Sequence, residues 1–165
     1  MKKFELTTDT KIFLGRKLFR IKALISFGNV RAGDMGGYIE KEENLSQSGD
    51  AWVSGDAWVC GNAKVSGDAW VYGNACVSGD AWVYGDAWVC GNADYATASG
   101  FGSEYRTTTF FKLKNSDEIG VRCGCFYGTL KEFKEKVKET HGETKKEKEY
   151  LMLADLMEYR FSEEK

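Results

Sequence analysis

The chain contains no proline, and only one of its 165 residues is a histidine, His141. Without proline, the changes of direction in a folded chain fall to other residues, and the 19 glycines are the main candidates. Apolar runs near the ~20 residues of a bilayer span are missing, and the start MKKFELTTDT lacks the apolar stretch of a secretion signal. These absences predict a globular chain in the cytoplasm that turns often without proline.

Cysteine is present in an odd number and in no CxxC pair, at positions 60, 76, 90, 123 and 125. This pattern favours reduced thiols in a reducing compartment over a disulfide framework. Cys123 and Cys125 should point to one side of a strand, where core packing is the expected role, because two thiols alone do not make a zinc site. We expect no cofactor and no metal.

Charge of one sign is unevenly distributed although the net charge is only −2. Residues 47–94 carry one lysine against six aspartates, a local charge of −5. The remaining parts are weakly basic or balanced, so the composition gives no case for nucleic acid and contains no polybasic membrane anchor. With 42% hydrophobic residues and a one-domain length, the chain should form one main core.

The middle of the chain is a repeat of six residues. From Gln47 it reads QSGDAW, VSGDAW, VCGNAK, VSGDAW, VYGNAC, VSGDAW, VYGDAW, VCGNAD. A six-residue period fits neither an α-helix nor a hairpin meander. Each unit supplies a branched apolar residue, a Gly-Asp or Gly-Asn pair suited to a turn, and a small alanine. The pattern predicts a short strand and a turn, repeated.

These units resemble the hexapeptide-repeat family. The resemblance implies a mainly-β chain with a short left-handed parallel β-helix of about three to four coils, in which residues 18 apart stack. Ile39 and Leu45 would begin the coils, and Tyr95 and Phe101 would continue them at the far end. Alanines 51 to 93 would fill the corners, and the interior would be lined by Val53, Val59, Val65, Val71, Val77, Val83 and Val89.

The segments on either side of the repeat are predicted to be end caps, which strand edges require. We divide the chain into an N-terminal β cap (1–38), the repeat (39–104) and a C-terminal ββαα unit (105–165). The cap should contain a hairpin around Gly15-Arg16. The C-terminal unit should contain two strands joined by a turn at 115–117, and then two helices. Thr129 and Glu132 form a capping box for the first helix, and the second runs from about Thr144 to Tyr159.

Several stretches are similar to phage and prophage proteins of unassigned role, and to hexapeptide proteins that carry the label of transferases. FGNVRAGDMGGYIEKEENLS resembles the lead-in of bacterial and phage-borne hexapeptide proteins, some of which carry that label. CGCFYGTL and EYLMLADLMEYRF resemble C-terminal segments of phage and prophage proteins of unassigned role. Many members of the hexapeptide family are acyltransferases that use a histidine as general base. His141 lies in the polar, helix-ending stretch ETHGETKK, and the repeat has no large loop insertion that could shape an acceptor pocket. We therefore treat an acyl-CoA-dependent acyltransferase as the alternative and place no catalytic residue.

Two columns of outward residues are the candidate binding surface. At the 18-residue interval, Trp52, Trp70 and Trp88 fall in one column, Asp50, Asp68 and Asp86 fall in a neighbouring one, and Tyr72 lies beside them. The tryptophans could stack on one another and stiffen the repeat, or be buried between protomers, or meet a partner or a flat ligand such as a nucleobase. The aspartates could cap turn amides, and a metal on them is the weaker interpretation.

The sequence-based hypothesis is a non-catalytic, oligomeric binding protein, a dimer or trimer, of phage-like character. It would be directed at the bacterial host, either by inhibiting a defence protein or by sequestering a nucleotide signal. Binding would use seven residues, namely the six of the two columns and Tyr72.

Overall fold

The structure is a computed structural model that describes residues 1–102 and 106–162. Three longer strands come first: β1 (Phe4–Phe13), β2 (Arg16–Ala23) and β3 (Met35–Ile39). Seven two-residue strands follow: β4 (Trp52–Val53), β5 (Trp58–Val59), β6 (Lys64–Val65), β7 (Trp70–Val71), β8 (Cys76–Val77), β9 (Trp82–Val83) and β10 (Trp88–Val89). The chain continues with β11 (Tyr95–Phe101), β12 (Arg106–Lys112), β13 (Ile119–Cys123), β14 (Phe126–Thr129), α1 (Leu130–His141) and α2 (Lys145–Phe161).

The N-terminal segment forms the predicted hairpin. β1 and β2 pair in antiparallel fashion with Phe13 opposite Arg16, and the turn between them uses Leu14 and Gly15, both with positive φ. β2 then pairs with β3, and β3 runs parallel to β5, with Ile39 opposite Val59. The hairpin is thereby joined to the repeat in one sheet of order β1-β2-β3-β5-β8.

The short strands of the repeat pair in parallel with partners 18 residues away. β4, β7 and β10 form one sheet, β5 pairs with β8, and β6 pairs with β9. The valine prediction is confirmed, because all seven valines have no exposed surface. The alanines of the repeat are also buried from Ala51 to Ala87, but Ala93 is exposed, so the corner prediction is wrong at its last position.

The predicted fold class is wrong. Of the residues that the structure describes, 41% lie in strands and 22% in helices; these strands fall into four separate sheets, and no parallel β-helix is present among them. Two physical reasons account for the difference. Part of the repeat joins a mixed sheet with the N-terminal hairpin, and the C-terminal segment adds two packed helices. A six-residue period identifies inward and outward positions, but it carries no information on how short strands are shared among sheets.

In the structure the C-terminal unit has four strands where two were predicted, because β11, which falls within the predicted repeat, joins β12, β13 and β14. β11 pairs antiparallel with β12, so Tyr95 and Phe101 belong to this sheet and do not continue the repeat. The order is β11-β12-β13-β14, and α1 and α2 pack against the sheet. The predicted boundary at residues 104 and 105 lies outside the described residues, and the division into three segments stays a prediction.

The first helix begins at its predicted cap, Thr129, and the second begins after Thr144, close to its predicted start. The Thr129 side chain accepts a hydrogen bond from the Glu132 amide, and Thr144 does the same for Glu147. The buried face of α1 is Leu130, Phe133 and Val137. That of α2 is Tyr150, Leu153, Ala154 and Met157. Neither helix is long and apolar enough to cross a membrane, a finding that covers only residues 1–102 and 106–162.

Side chains cover the strand edges at the C-terminal end of the repeat. The Trp82 amide donates to Thr109 Oγ1 at 2.9 Å, and the Cys76 amide donates to Asn92 Oδ1 at 2.8 Å. Leu113 forms a bridge with Ala87 beside β10. Because exposed amides and carbonyls of an edge strand recruit other strands, these contacts remove a site of unwanted pairing.

At the N-terminal end of the repeat, two side chains donate hydrogen bonds to the carbonyls that precede the first strands. Lys3 Nζ donates to the carbonyl oxygens of Gly49 and Ala51, which precede β4. Asn44 Nδ2 donates to the carbonyls at the same two repeat positions before β6, those of residues 61 and 63. Each side chain therefore satisfies a pair of carbonyls that would otherwise lack partners at the first strand of a stack.

Candidate binding cleft

A cleft of about 320 Å³ lies where the repeat meets two flanking loops. We call it the aspartate–tryptophan cleft. It brings together most of the predicted binding residues, from three successive levels of the repeat, with residues from the N-terminal loop and from the turn after β12. Its lining is Gly28, Asn29, Asp50, Asp68, Trp70, Asp86, Ala87, Trp88 and Lys114.

Three carboxylates line the cleft because each occupies the same turn position of its hexapeptide. Asp50, Asp68 and Asp86 are exposed, and each follows a glycine with positive φ. At Gly67 (φ 71°) the turn also requires close backbone approach, because a Cβ there would lie 2.7 Å from the nitrogen of Gly85. The repeated turn thus stacks like charges, which repel one another and attract a cation.

Turn capping accounts for only part of the aspartate column. The Asp50 amide donates to Asp68 Oδ1 at 3.4 Å, a contact that links neighbouring levels. The three residues are exposed, and among the described hydrogen bonds their other carboxylate oxygens accept none. The interpretation that the column caps turn amides is therefore supported for Asp68, and it leaves acceptor capacity for a ligand.

The tryptophan column divides into one structural and two surface members. The predicted register is confirmed, since Trp70 lies opposite both Trp52 and Trp88. Trp52, however, is only 2% exposed and packs edge-to-face against Phe27 at 5.3 Å, so its assignment to the binding surface is wrong. The N-terminal loop covers it. Trp70 and Trp88 stay half-buried and line the cleft.

No ladder of stacked indoles is found among the described aromatic contacts. The aromatic neighbour of Trp88 is Tyr72, at a ring distance of 5.8 Å and an angle of 61°. Tyr72 does not line the cleft and instead supports Trp88 from the side. Burial, followed by the neighbouring Cys90, raises the pKa of the Tyr72 hydroxyl, which therefore stays neutral at physiological pH.

Lys114 is a cleft residue that the sequence analysis missed. Its Nζ lies 5.1 Å from the Trp88 ring centroid, within the range of a cation–π interaction. Its backbone amide donates to the Asp86 carbonyl at 2.9 Å, which fixes the turn after β12 against the repeat. No local signal could have found it, because the contact joins the repeat to a turn in the next segment.

A second lysine lies beneath the carboxylates. Lys3 is 1% exposed, and burial lowers its pKa to about 8, while the charges of Asp50 and Asp68 oppose that shift. The two aspartates therefore face a buried ammonium on one side and solvent on the other. Lys3 offsets part of their charge without occupying the cleft.

Metal ligands do not converge in the described chain: residues 1–102 and 106–162 contain no group of three His, Cys, Asp or Glu side chains that could hold an ion. Cys123 is half-buried, and its Sγ accepts a hydrogen bond from Thr108 Oγ1 at 3.2 Å, whereas Cys125 is exposed after the end of β13. All five cysteines are free thiols.

His141 is the last residue of α1, as its sequence context predicts, and it does not line the cleft. Its ring stacks on Tyr150 with centroids 5.8 Å apart. Among the described contacts it has no carboxylate hydrogen bond of the kind that orients a catalytic histidine.

No model of a known protein family matches the chain, and no curated protein is significantly similar to it in sequence.

Proposed function

We propose that this is a non-catalytic binding protein whose aspartate–tryptophan cleft takes a cationic side chain of a partner protein. The observation that carries the proposal is the convergence of three exposed carboxylates and two half-buried indoles on one cleft. Carboxylates and the face of a tryptophan both attract an arginine or lysine side chain, and arginine also stacks on aromatic rings.

The position of Lys114 supports this choice of ligand charge. The chain's own ammonium already lies against Trp88 near Asp86, which is the arrangement expected of an incoming cation. A partner's guanidinium would find the same ring face and two further carboxylates. A nucleotide is the less favoured ligand, because a base could stack on Trp70 but its phosphates would face three negative charges.

The acyltransferase alternative has no support in the cleft. The described lining holds no histidine, cysteine or serine, the side chains that usually act as base or nucleophile in acyl transfer. The similarity of the flanking stretches to phage and prophage proteins supports a host-directed role in the cytoplasm, and we place the inhibition of a basic host protein ahead of the sequestration of a nucleotide signal.

The test is calorimetric titration with an N-acetylated tetra-arginine peptide at low salt. Asp50, Asp68 and Asp86 are changed together to asparagine, which keeps the oxygen that accepts from the Asp50 amide. Each exposed charge contributes up to about 1 kcal/mol, so the triple variant should bind roughly tenfold more weakly or worse. Trp70→Ser should also weaken binding, and Lys114→Gln should strengthen it by about two- to fivefold.

The matched control changes three other exposed aspartates, Asp56, Asp80 and Asp117, to asparagine. It removes the same net charge away from the cleft and should bind the peptide like the wild type. Equal loss in both triple variants would mean that general charge, and not the cleft, attracts the peptide. Tighter binding of AMP or of acetyl-CoA than of the peptide would favour the nucleotide or the acyltransferase hypothesis.

A further inference from the structure

A second cavity, of about 230 Å³, lies in the C-terminal unit and shares no residue with the aspartate–tryptophan cleft. We call it the aromatic cavity. Its apolar wall comes from β11, β14, α1 and α2, and it is formed by Phe101, Phe126, Phe133 and Tyr150. Phe133 contacts Tyr150 and Phe126 at ring distances of 5.6 and 5.8 Å. Such a wall suits a flat apolar group.

The charge around the aromatic cavity is opposite to that of the cleft. Arg106 and Lys136 line it, and His141 adds a ring with two further nitrogens. No described lining residue is an aspartate or a glutamate. An apolar wall beside cationic groups, without a lining carboxylate, is complementary to a molecule with a flat body and a negative end.

The Arg106 guanidinium lies beside the turn between β13 and β14. A Cβ on Gly124 would lie 2.1 Å from Arg106 Nη1, so the end of the arginine side chain packs closely over this turn. Gly124 has a φ of 58°, which favours glycine at this position. The turn and the exposed start of β12 therefore bring the guanidinium to the rim of the cavity, where it is accessible to a ligand.

Tyr150 adds a neutral hydrogen-bond donor. Burial, followed by the neighbouring Cys123, raises the pKa of its hydroxyl to about 12. The hydroxyl therefore stays protonated at physiological pH and can donate to an acceptor oxygen. The stacked His141 ring limits the positions that Tyr150 can take.

We propose that the aromatic cavity binds a small aromatic carboxylate, with its ring between the phenylalanines and its carboxylate at Arg106 and Lys136. The size agrees with this class, because the cavity lies below the ~300–1,000 Å³ typical of drug-sized ligands. Binding here is independent of the partner proposed for the cleft, so either proposal can fail without the other.

The experiment uses naphthalene-2-carboxylate as the probe and naphthalene-2-carboxamide as its neutral counterpart, both titrated into the 165-residue chain. A hydrogen bond to a charged group contributes more than a neutral one, so the carboxylate should bind at least about tenfold more tightly than the amide. Arg106→Gln should remove most of that preference. The control Lys138→Gln removes a charge from the same end of the unit at a position that does not line the cavity, and it should have no effect.

Arg106 is exposed, so its replacement should leave the fold intact, and thermal unfolding checks this. If the Arg106→Gln variant unfolds, two other measurements test the proposal. Lys136→Gln should reduce the preference for the carboxylate, and the wild type should bind the carboxylate more tightly than the amide. Thr140→Trp, at an exposed lining position, should block both probes. Equal binding of the two probes, binding unaffected by Thr140→Trp, or no carboxylate binding at millimolar concentration would overturn the proposal.

Discussion

Lys3 combines burial, charge and the covering of a strand edge in one side chain. Its ammonium lies 2.7 Å from the Ala51 oxygen and 3.2 Å from that of Gly49, and 4.8 Å from the Phe27 ring centroid. A buried charge is stable only with such partners. In the sequence, Lys3 is one of two adjacent lysines near the start of the chain. No neighbouring residue indicates that Lys3 is buried and Lys2 exposed.

The lowered pKa of Lys3 predicts a specific dependence of stability on pH. Between about 8 and the ordinary 10.5, the unfolded chain keeps a proton that the folded chain has lost. Because the unfolded state then binds more protons, the free energy of unfolding rises with pH across this window. We therefore expect the free energy of unfolding of the wild type to rise by about 2 kcal/mol relative to that of Lys3→Met between pH 7 and pH 10. Urea denaturation of both proteins at each pH measures this change.

Lys2→Met serves as the control for this measurement. Lys2 is exposed and pairs with Glu42 at 2.9 Å. The difference in free energy of unfolding between the wild type and Lys2→Met should therefore stay constant over the same pH range. If the free energy of unfolding of the wild type relative to Lys3→Met stays constant or falls with pH, the Lys3 ammonium is not buried as the structure has it.

At the scale of elements, β7 is the central strand of the sheet formed with β4 and β10. Its Val71 lies opposite Val53 on one side and Val89 on the other, with no exposed surface. The valine therefore contacts apolar side chains at the levels before and after its own.

Val71→Asp should bury a charge without a partner and destabilise the protein by about 3 kcal/mol or more. Ser78→Asp introduces the same charge one residue after an inward valine, at an exposed position, and should change stability by less than about 0.5 kcal/mol. Chemical denaturation measures both. Similar losses for the two variants would contradict the 18-residue register.

Local patterns predict elements well here, and long-range contacts explain what they miss. The hairpin at Gly15, the inward valines, the helix cap at Thr129 and the start of the second helix near Thr144 depend on residues within a few positions of one another. The prediction of the fold class was wrong, because it required knowing which strands pair with one another. That depends on long-range contacts such as those of β3 with β5 and of β11 with β12. These contacts join segments whose individual patterns are compatible with several partners.

At the scale of the whole molecule, the candidate site was predicted in part. Five of the seven proposed residues line the cleft, because a fixed repeat interval determines which side chains share a face. Trp52 and Tyr72 fall outside it, since the N-terminal loop covers one and the other packs beside Trp88. Lys114 and the aromatic cavity come from contacts between segments, which a single repeat cannot specify.

Self-association, which the sequence hypothesis includes, stays a proposal and has a second candidate surface. α2 exposes Met152, Leu156 and Tyr159 at a helical spacing, with exposed fractions of 71%, 56% and 80%. An apolar stripe of this kind is often covered by a second subunit. The tryptophan column is the less suitable interface, because Trp52 is already buried within the chain.

Leu156→Glu should therefore reduce the oligomeric mass. Light scattering of the wild type should give a multiple of the 18.5 kDa chain mass, and the variant should give a value near 18.5 kDa. Asn74→Glu adds the same charge at an exposed turn and should leave the mass unchanged. A wild-type mass of one chain would refute self-association, and an unchanged variant would exclude the α2 stripe as the interface.

The pairing of each short strand with the strand 18 residues further on restricts how the gene for this protein could change in length. Loss or duplication of three hexapeptides would leave three side chains next to strands of the same sheets as before. These side chains are Asn44, Thr109 and Asn92, which bond to backbone groups of the repeat. Loss or duplication of one hexapeptide would bring each of them to a strand of a different stack. Viable length variants should therefore differ by multiples of 54 base pairs, since 18 residues correspond to 18 codons.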